Sequence, residues 1–326
     1  MNILVTGSAG YIGGLLIEKL SNDPAVERII GIDLLPAPER FRSDPKITWV
    51  RADLAIRGWE ERIPANLRID AIVHCAFKIR TPYGRKKATE QNNIDDCRNV
   101  FSFAAARHIP KLIYLSTVSV YAARPENIGK LLTEDDPMLE TENPYGVQKA
   151  ATERDLQEIL GKANGGTKAV VLRLNSVTGP VGQSLASKFG LITFLKKLLP
   201  FIVEADPHWA RQFVHEADLN EIIYRLTMQD LPAGGTNPSI FNVAPEKFLT
   251  ARDMGALLRK RVLRLPPWAV KPLFAAAWHL SLGRVPTRPD SAKGLIYPIN
   301  VDGTRIEKAL ALPYAHTAED AFLGKA

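Results

Sequence analysis

Only two cysteines, Cys75 and Cys97, stand in the 326 residues of this chain. Two thiols cannot build a disulfide framework or a complete structural zinc site, so the expectation is a reduced, cytoplasmic protein with inert thiols and no metal. A long apolar leader is also lacking, since Met1-Asn2-Ile3-Leu4-Val5-Thr6 runs at once into Gly7, and no secretion signal is expected. The one stretch that invites a membrane span, Leu265 to Leu282, is broken by Pro266, Pro267, Lys271, Pro272 and His279. No transmembrane helix is expected there. The sequence has no internal repeat, no low-complexity tract and no collagen-like Gly period, which excludes solenoid, disordered and fibrous classes. Forty-two Lys and Arg against 35 Asp and Glu give a formal charge of +7. Read as dispersed along the chain, that excess suits small anionic ligands and argues against a nucleic-acid partner.

What is present is an ordinary globular composition, 46% hydrophobic and 24% charged, enough for one large domain or two that share an interface. The first half alternates short apolar runs with longer segments of helical period. The runs Ile3 to Thr6, Ile29 to Asp33, Ile47 to Arg51, Ala71 to Cys75, Leu112 to Ser116 and Ala169 to Leu174 lack polar alternation. They predict strands of a parallel sheet covered on both faces, a doubly wound α/β fold. Ile12, Leu15, Leu16 and Leu20 recur with helical period after Gly10, and further helices are predicted over Asn93 to His108 and from Asn143-Pro144 onward. Beyond Leu174 the pieces are punctuated by Pro and Gly. Helices are expected near Ser187 to Leu199, Ala217 to Met228 and Arg252 to Val262, and Ile240 to Val243 reads as a strand returning to the sheet. The expected division is a cofactor domain over 1–174 rejoined by 212–245, with 175–211 and 246–326 forming a smaller, irregular substrate lobe.

Gly7, Gly10 and Gly13 stand three residues apart between the first strand and the first helix, with Tyr11 and Ile12 inside the same turn. Such glycines allow a tight turn, backbone approach to a pyrophosphate, and close packing of helix on strand, with the phosphate facing the helix N-terminus. Asp33 ends the second strand 20 residues beyond Gly13, where a carboxylate accepts both hydroxyls of an adenosine ribose. No Arg follows it directly, which favours NAD over NADP. Asp53-Leu54 follows the third strand, and small Ala76 at the end of the fourth leaves room for a cofactor to cross the sheet edge. Neighbouring His74 reads as a core histidine. Tyr145 and Lys149 lie one helical turn apart, a spacing that sets a phenol and an ammonium on one face and lets the cation lower the phenol pKa.

Assembled, these residues resemble the extended short-chain dehydrogenase/reductase superfamily, in its NAD-dependent epimerase/dehydratase family, over nearly the whole chain. The resemblance also takes in Asn93 with Asn99, Ser116 to Tyr121, Arg173 to Pro180, Arg211-Gln-Phe-Val-His-Glu-Ala-Asp218 and Asp302 to Leu312. It implies a Rossmann domain and a catalytic set of Thr117, Tyr145 and Lys149. Tyr145 would take the proton of a substrate hydroxyl, Thr117 would hydrogen-bond the reacting oxygen, and Lys149 would hold the nicotinamide ribose. Asn175, Ser176 and Arg211 would meet the substrate, the arginine through a diphosphate. The family's dehydratases carry Asp-Glu after the Thr, whereas Val118-Ser119 stand here, so redox chemistry without water elimination is expected. A homodimer through the helices near Asn93 and Tyr145 is implied as well.

The basic run of Lys78, Arg80, Arg85, Lys86 and Lys87 would attract an anionic substrate. The first expectation is therefore an epimerase of a nucleotide-activated sugar acting through a transient ketone. Trp268, Phe274 and Trp278 keep open a second, a dehydrogenase of hydrophobic alcohols or ketones similar to hydroxysteroid dehydrogenases and dihydroflavonol reductases. A third is a non-catalytic NAD-binding sensor.

Overall fold

A computed structural model describes the chain except residues 80–82, 85, 164, 186–195, 197–198, 231–235 and 286, and except the side chains at 86–88 and 185. The apolar runs become strands β1 Asn2–Thr6, β2 Arg28–Asp33, β3 Ile47–Arg51, β4 Ala71–His74, β5 Lys111–Thr117 and β6 Lys168–Leu174. Shorter strands follow: β7 Ser176–Thr178, β8 Phe201–Glu204, β9 Ala210–Arg211, β10 Phe213–His215, β11 Ser239–Val243, β12 Leu249–Thr250 and β13 Arg261–Arg264. Helices α1 Tyr11–Ser21, α2 Lys86–Ala106, α3 Pro144–Lys162 and α4 Pro180–Leu185 are named here, and later helices by their residues.

The main sheet has seven parallel strands in the order β11-β6-β5-β4-β1-β2-β3. Strand order reverses between β1 and β4, so a crevice opens at their carboxyl ends, where ligands of doubly wound sheets bind. One face of the sheet is covered by α2 and α3 through Phe101, Leu156 and Leu160, and the other by α1 and the helix Glu216–Met228 through Leu16, Ile17, Leu20 and Ile223. Away from the edge strand β3, where Thr48 and Arg51 are exposed, both faces are thus dry, which is why those strands need no polar alternation. Asn143 caps α3 by accepting the Tyr145 N–H at 3.2 Å, and Pro144 takes the first helical position. The predicted return of Ile240 to Val243 is realised by β11, which pairs with β6.

Two stretches differ from the sequence reading. The helix expected over Arg252 to Val262 ends at Leu258, because Arg259 turns left-handed (φ 54°) and Arg261–Arg264 instead pairs with β8. The α2 helix begins at Lys86, seven residues before Asn93, and ends at Ala106. The helix expected over Ser187 to Leu199 falls, apart from Lys196 and Leu199, outside the described residues. So do Arg80 and Arg85 of the basic run, and the side chains of Lys86 and Lys87.

Candidate active site

The glycine turn sits at the reversal of strand order. Gly7 has φ 66°, and a Cβ there would lie 2.7 Å from the Ala76 amide nitrogen. Glycine alone gives both the left-handed backbone and the close approach of the chain leaving β4. A Cβ on Gly13 would run into the Gly7 carbonyl. The α1 helix has Gly10 as its N-cap, with no capping side chain and no acidic residue in its first turn, so its first N–H groups and positive dipole end suit an anion. Asp33 accepts the Ala9 and Leu35 N–H groups, both at 2.9 Å, and is thereby fixed beside the turn. An uncapped helix start, a cradle that a Cβ would fill and an adjacent carboxylate fit a dinucleotide.

Tyr11 and Ile12 leave the turn in different directions. Ile12 packs against the core under α1, while the Tyr11 hydroxyl donates to Glu216, whose carboxylate also accepts the Val181 and Gly182 N–H groups of α4 at 2.8 Å. Burial and that carboxylate raise the Tyr11 pKa far above the ordinary range, so it is a hydrogen-bond donor. Asp53 accepts the Ala55 N–H, and Asn99 holds the Leu54 and Ala55 carbonyls. The Leu54 side chain is in the core. Asp96, passed over in the sequence, is nearly buried, and its carboxyl is pushed up to about 7 by burial and then by Asp53, with Lys78 acting the other way.

Thr117 ends β5, and Tyr145 opens α3 beside it. A Cβ on Gly146 would come within 2.6 Å of the Ser119 carbonyl, so this glycine lets α3 start directly on the strand-end loop. Burial pushes the Tyr145 phenol up to about 12, with a hydrogen bond from Thr117 pulling it down. This corrects the expectation that Lys149 depresses the phenol. Lys149 points inward, donating to the Leu115 carbonyl at 2.5 Å and the Tyr114 hydroxyl at 3.2 Å. Burial lowers its own pKa to about 8. Phe77 touches both residues, edge-to-face with the Tyr145 ring at 5.6 Å and 3.7 Å from the Lys149 Nζ.

His74 is a core histidine, as the sequence suggested: Nδ1 lies 2.7 Å from the Thr6 hydroxyl and Nε2 3.3 Å from the Cys97 sulfur. Burial drives its pKa down to about 3 and the Cys75 and Cys97 thiols up to about 12, and both thiols are free. Beneath the site runs a buried polar network. The Glu153 carboxylate of α3 accepts from Ser116 and from Arg173 at 2.8 Å; Arg173 donates to the Tyr121 hydroxyl at 2.8 Å, which donates to Asn242 of β11 at 2.8 Å. Each charge there is paired and hydrogen-bonded, the condition under which burial is tolerated.

A cavity of about 920 Å³ opens above Tyr145. Among its lining residues are Tyr11, Tyr145, Ser176 and Arg211, with Lys78 of the basic run, and Ser119 and Gln148, to which the sequence reading gave no role. Arg211 is half-buried, with its guanidinium 6.0 Å from the Trp209 ring and no ion pair among the described residues, and burial lowers its pKa. Thr117 and Lys149 lie beneath this lining. Asn175 is turned aside, donating to Gln212 at 3.0 Å and the Ile299 carbonyl at 3.2 Å. Asn93 accounts for Gln148: it bonds the Gln148 side chain at 2.8 Å and both backbone groups of Lys78. Of the motif at Arg211 to Asp218, His215 bonds the Lys325 carbonyl and Asp218 holds His316, so both anchor the last residues. Among the described residues no cluster of His, Cys, Asp or Glu could hold a metal, and no helix is long and apolar enough to cross a membrane.

The model of the NAD dependent epimerase/dehydratase family matches residues 3–244, and the chain belongs to that family. It is 32% identical to the UDP-glucose 4-epimerase of Azospirillum brasilense over 56% of this chain and 51% of that enzyme, so the match spans about half the length of that relative. A protein of Mycobacterium tuberculosis without an assigned role is 24% identical over 98% of this chain and 82% of its own length. Among solved structures, UDP-glucose 4-epimerase of Thermotoga maritima with UDP-glucose aligns with a TM-score of 0.74 at 20% identity, covering 99% of this chain and 97% of that one. The dTDP-glucose 4,6-dehydratase of Bacillus anthracis with NAD aligns at 0.73 and 17% identity, covering 99% and 94%. These two share the fold. The chain is an enzyme of the extended, NAD-dependent short-chain dehydrogenase/reductase type.

Proposed function

We propose that this protein is an NAD-dependent epimerase of a nucleotide-activated sugar, working through a transient ketone. The observation that carries the reading is a single cavity with the Tyr145 phenol among its walls and Arg211 elsewhere in its lining. A guanidinium without a carboxylate partner suits a diphosphate. Bound NAD supplies the hydride acceptor and donor. Gly7, Gly10 and Gly13 with Tyr11 and Ile12 would hold its pyrophosphate, Asp33 the adenosine ribose, Asp53 and Leu54 the adenine side, and Tyr145 with Lys149 the nicotinamide ribose beside Ala76. Tyr145 as the phenolate would take the proton from the substrate hydroxyl and return it; burial opposes that ionised form and the Thr117 hydrogen bond favours it. Ser176, in the cavity wall, would meet the substrate, whereas Asn175 is held away from it by Gln212.

Water elimination is not supported. Glu140 accepts three backbone N–H groups, Glu142 pairs with Lys293 and Asp290 with Arg288, so these three acidic residues of the lining are already engaged.

Purified protein, denatured without added cofactor, should release near-stoichiometric NAD, because an epimerase must keep its cofactor through the ketone stage. Tyr145→Phe should retain that NAD and lose turnover of UDP-glucose or a related sugar nucleotide by about a thousandfold. Full turnover by Tyr145→Phe would sink the assignment. A second reading is favoured by Trp209, Phe213, Met254, Phe274 and Trp278 in the cavity wall: oxidation of a hydrophobic alcohol. Protein that emerges empty, exchanges NAD and turns over such alcohols would establish it instead. A homodimer through α2 and α3 belongs to the first reading, and light scattering at monomer mass would remove it.

A further inference from the structure

The +7 charge is concentrated in one segment, which corrects its reading as dispersed. Between Asp253 and Asp290 there is no Asp or Glu, while Arg259, Lys260, Arg261, Arg264, Lys271, Arg284 and Arg288 all stand there. Without those seven the chain has 35 basic against 35 acidic side chains. Arg264 pairs with Glu204 and Arg288 with Asp290. Arg259, Arg261, Lys271 and Arg284 are exposed and make no ion pair among the described residues.

The same segment carries the helix Pro267–Leu280, which buries only Val270, against Ala205, Ala292 and Ile296. Val270, Phe274 and Trp278 recur every four residues, and the latter two wall the cavity. Trp268, Pro272, Ala276 and Leu280 recur at the same interval two residues out of step, about 200° around the axis, on the opposite face. That outer face is open to solvent: Trp268 is 78% exposed, Leu280 87% and Leu273 50%, with Leu282 at 66% just beyond. Contiguous exposed apolar side chains of this kind mark an interaction surface.

We propose that this outer face seats the protein on an anionic lipid bilayer, with Trp268, Leu273, Leu280 and Leu282 at the boundary of headgroups and acyl chains and the flanking cations against lipid phosphates. A helix with bulky apolar residues on one side, bordered by Lys and Arg, lies in the plane of a membrane interface, and Trp favours that depth. Charge argues against a second copy as the occupant. A symmetric interface would set the same acid-free, basic segment against itself.

The test is flotation of the full chain with phosphatidylcholine vesicles containing a minority of phosphatidylglycerol, beside vesicles of phosphatidylcholine alone. The chain should float with the anionic vesicles and be released by salt. The double variant Trp268→Ser with Leu280→Ser should partition about tenfold less or worse. Lys271→Glu with Arg261→Glu should weaken binding as well. All four side chains are exposed, so circular dichroism and NAD binding should stay unchanged. Absence from the anionic vesicles, or flotation indifferent to these substitutions, overturns the proposal. Self-association that disappears with Trp268→Ser overturns it too, by assigning the face to a second copy.

Discussion

The α1 helix and the helix Pro267–Leu280 are both rich in apolar residues, yet the fold treats them differently. From α1, Leu16, Ile17 and Leu20 disappear into the sheet; the other helix buries Val270 alone. The sheet makes the difference. A helix laid on seven strands meets a continuous apolar surface, whereas a helix laid over a cavity has one face on open space and the other on solvent. Apolar content therefore indicates stability in the first case and contact with something outside the chain in the second.

Three substitutions sharpen or break that contrast. Leu16→Ala should cost about 3 kcal/mol in denaturant unfolding, since a fully buried leucine leaves a cavity beneath α1. Lys149→Met should do the opposite at pH 7, raising stability by about 1 to 2 kcal/mol while abolishing turnover, because a buried ammonium is replaced by an apolar side chain. The sign follows from the depressed pKa. Lys149 falls from its ordinary 10.5 to about 8 in the folded chain, so between those values the unfolded chain binds more protons and stability rises with pH. In Lys149→Met that rise between pH 8 and 10.5 should flatten, and an unchanged slope would show that the charge is not held where the structure places it. The smallest effect belongs to Leu280→Ala, within about 0.5 kcal/mol. A cost near that of Leu16→Ala would mean that the outer face is covered in solution, and the contrast would fail.

The sequence exposes what is local. Glycines three apart, a carboxylate 20 residues on at Asp33, and a phenol and ammonium one turn apart are set by spacing along the chain, and the early strands are short, mainly apolar runs. What it hides is set by partners far along the chain. Arg261–Arg264 is a strand because Phe201–Glu204 lies beside it. Lys149 turns inward because Tyr114 and the Leu115 carbonyl receive it, and the phenol it was expected to activate is governed by burial. Asn175 is drawn from the cavity by Gln212. The basic segment is hidden in a whole-chain net charge, because what sets it apart is the absence of Asp and Glu between Asp253 and Asp290.

The network under Thr117 and Tyr145 bears on how this site tolerates sequence drift. Arg173 is 3% and Glu153 1% exposed, and with Ser116, Tyr121 and Asn242 they act as one another's solvent. A change at Arg173 or Glu153 strands a buried charge at a cost of about 3 to 5 kcal/mol, and one at Ser116, Tyr121 or Asn242 removes a buried hydrogen-bond partner at about 1 to 3 kcal/mol. Neutral drift is thereby closed to them singly. The five positions are therefore constrained together, and the strand end beneath the candidate site is held in register by residues outside the cavity lining.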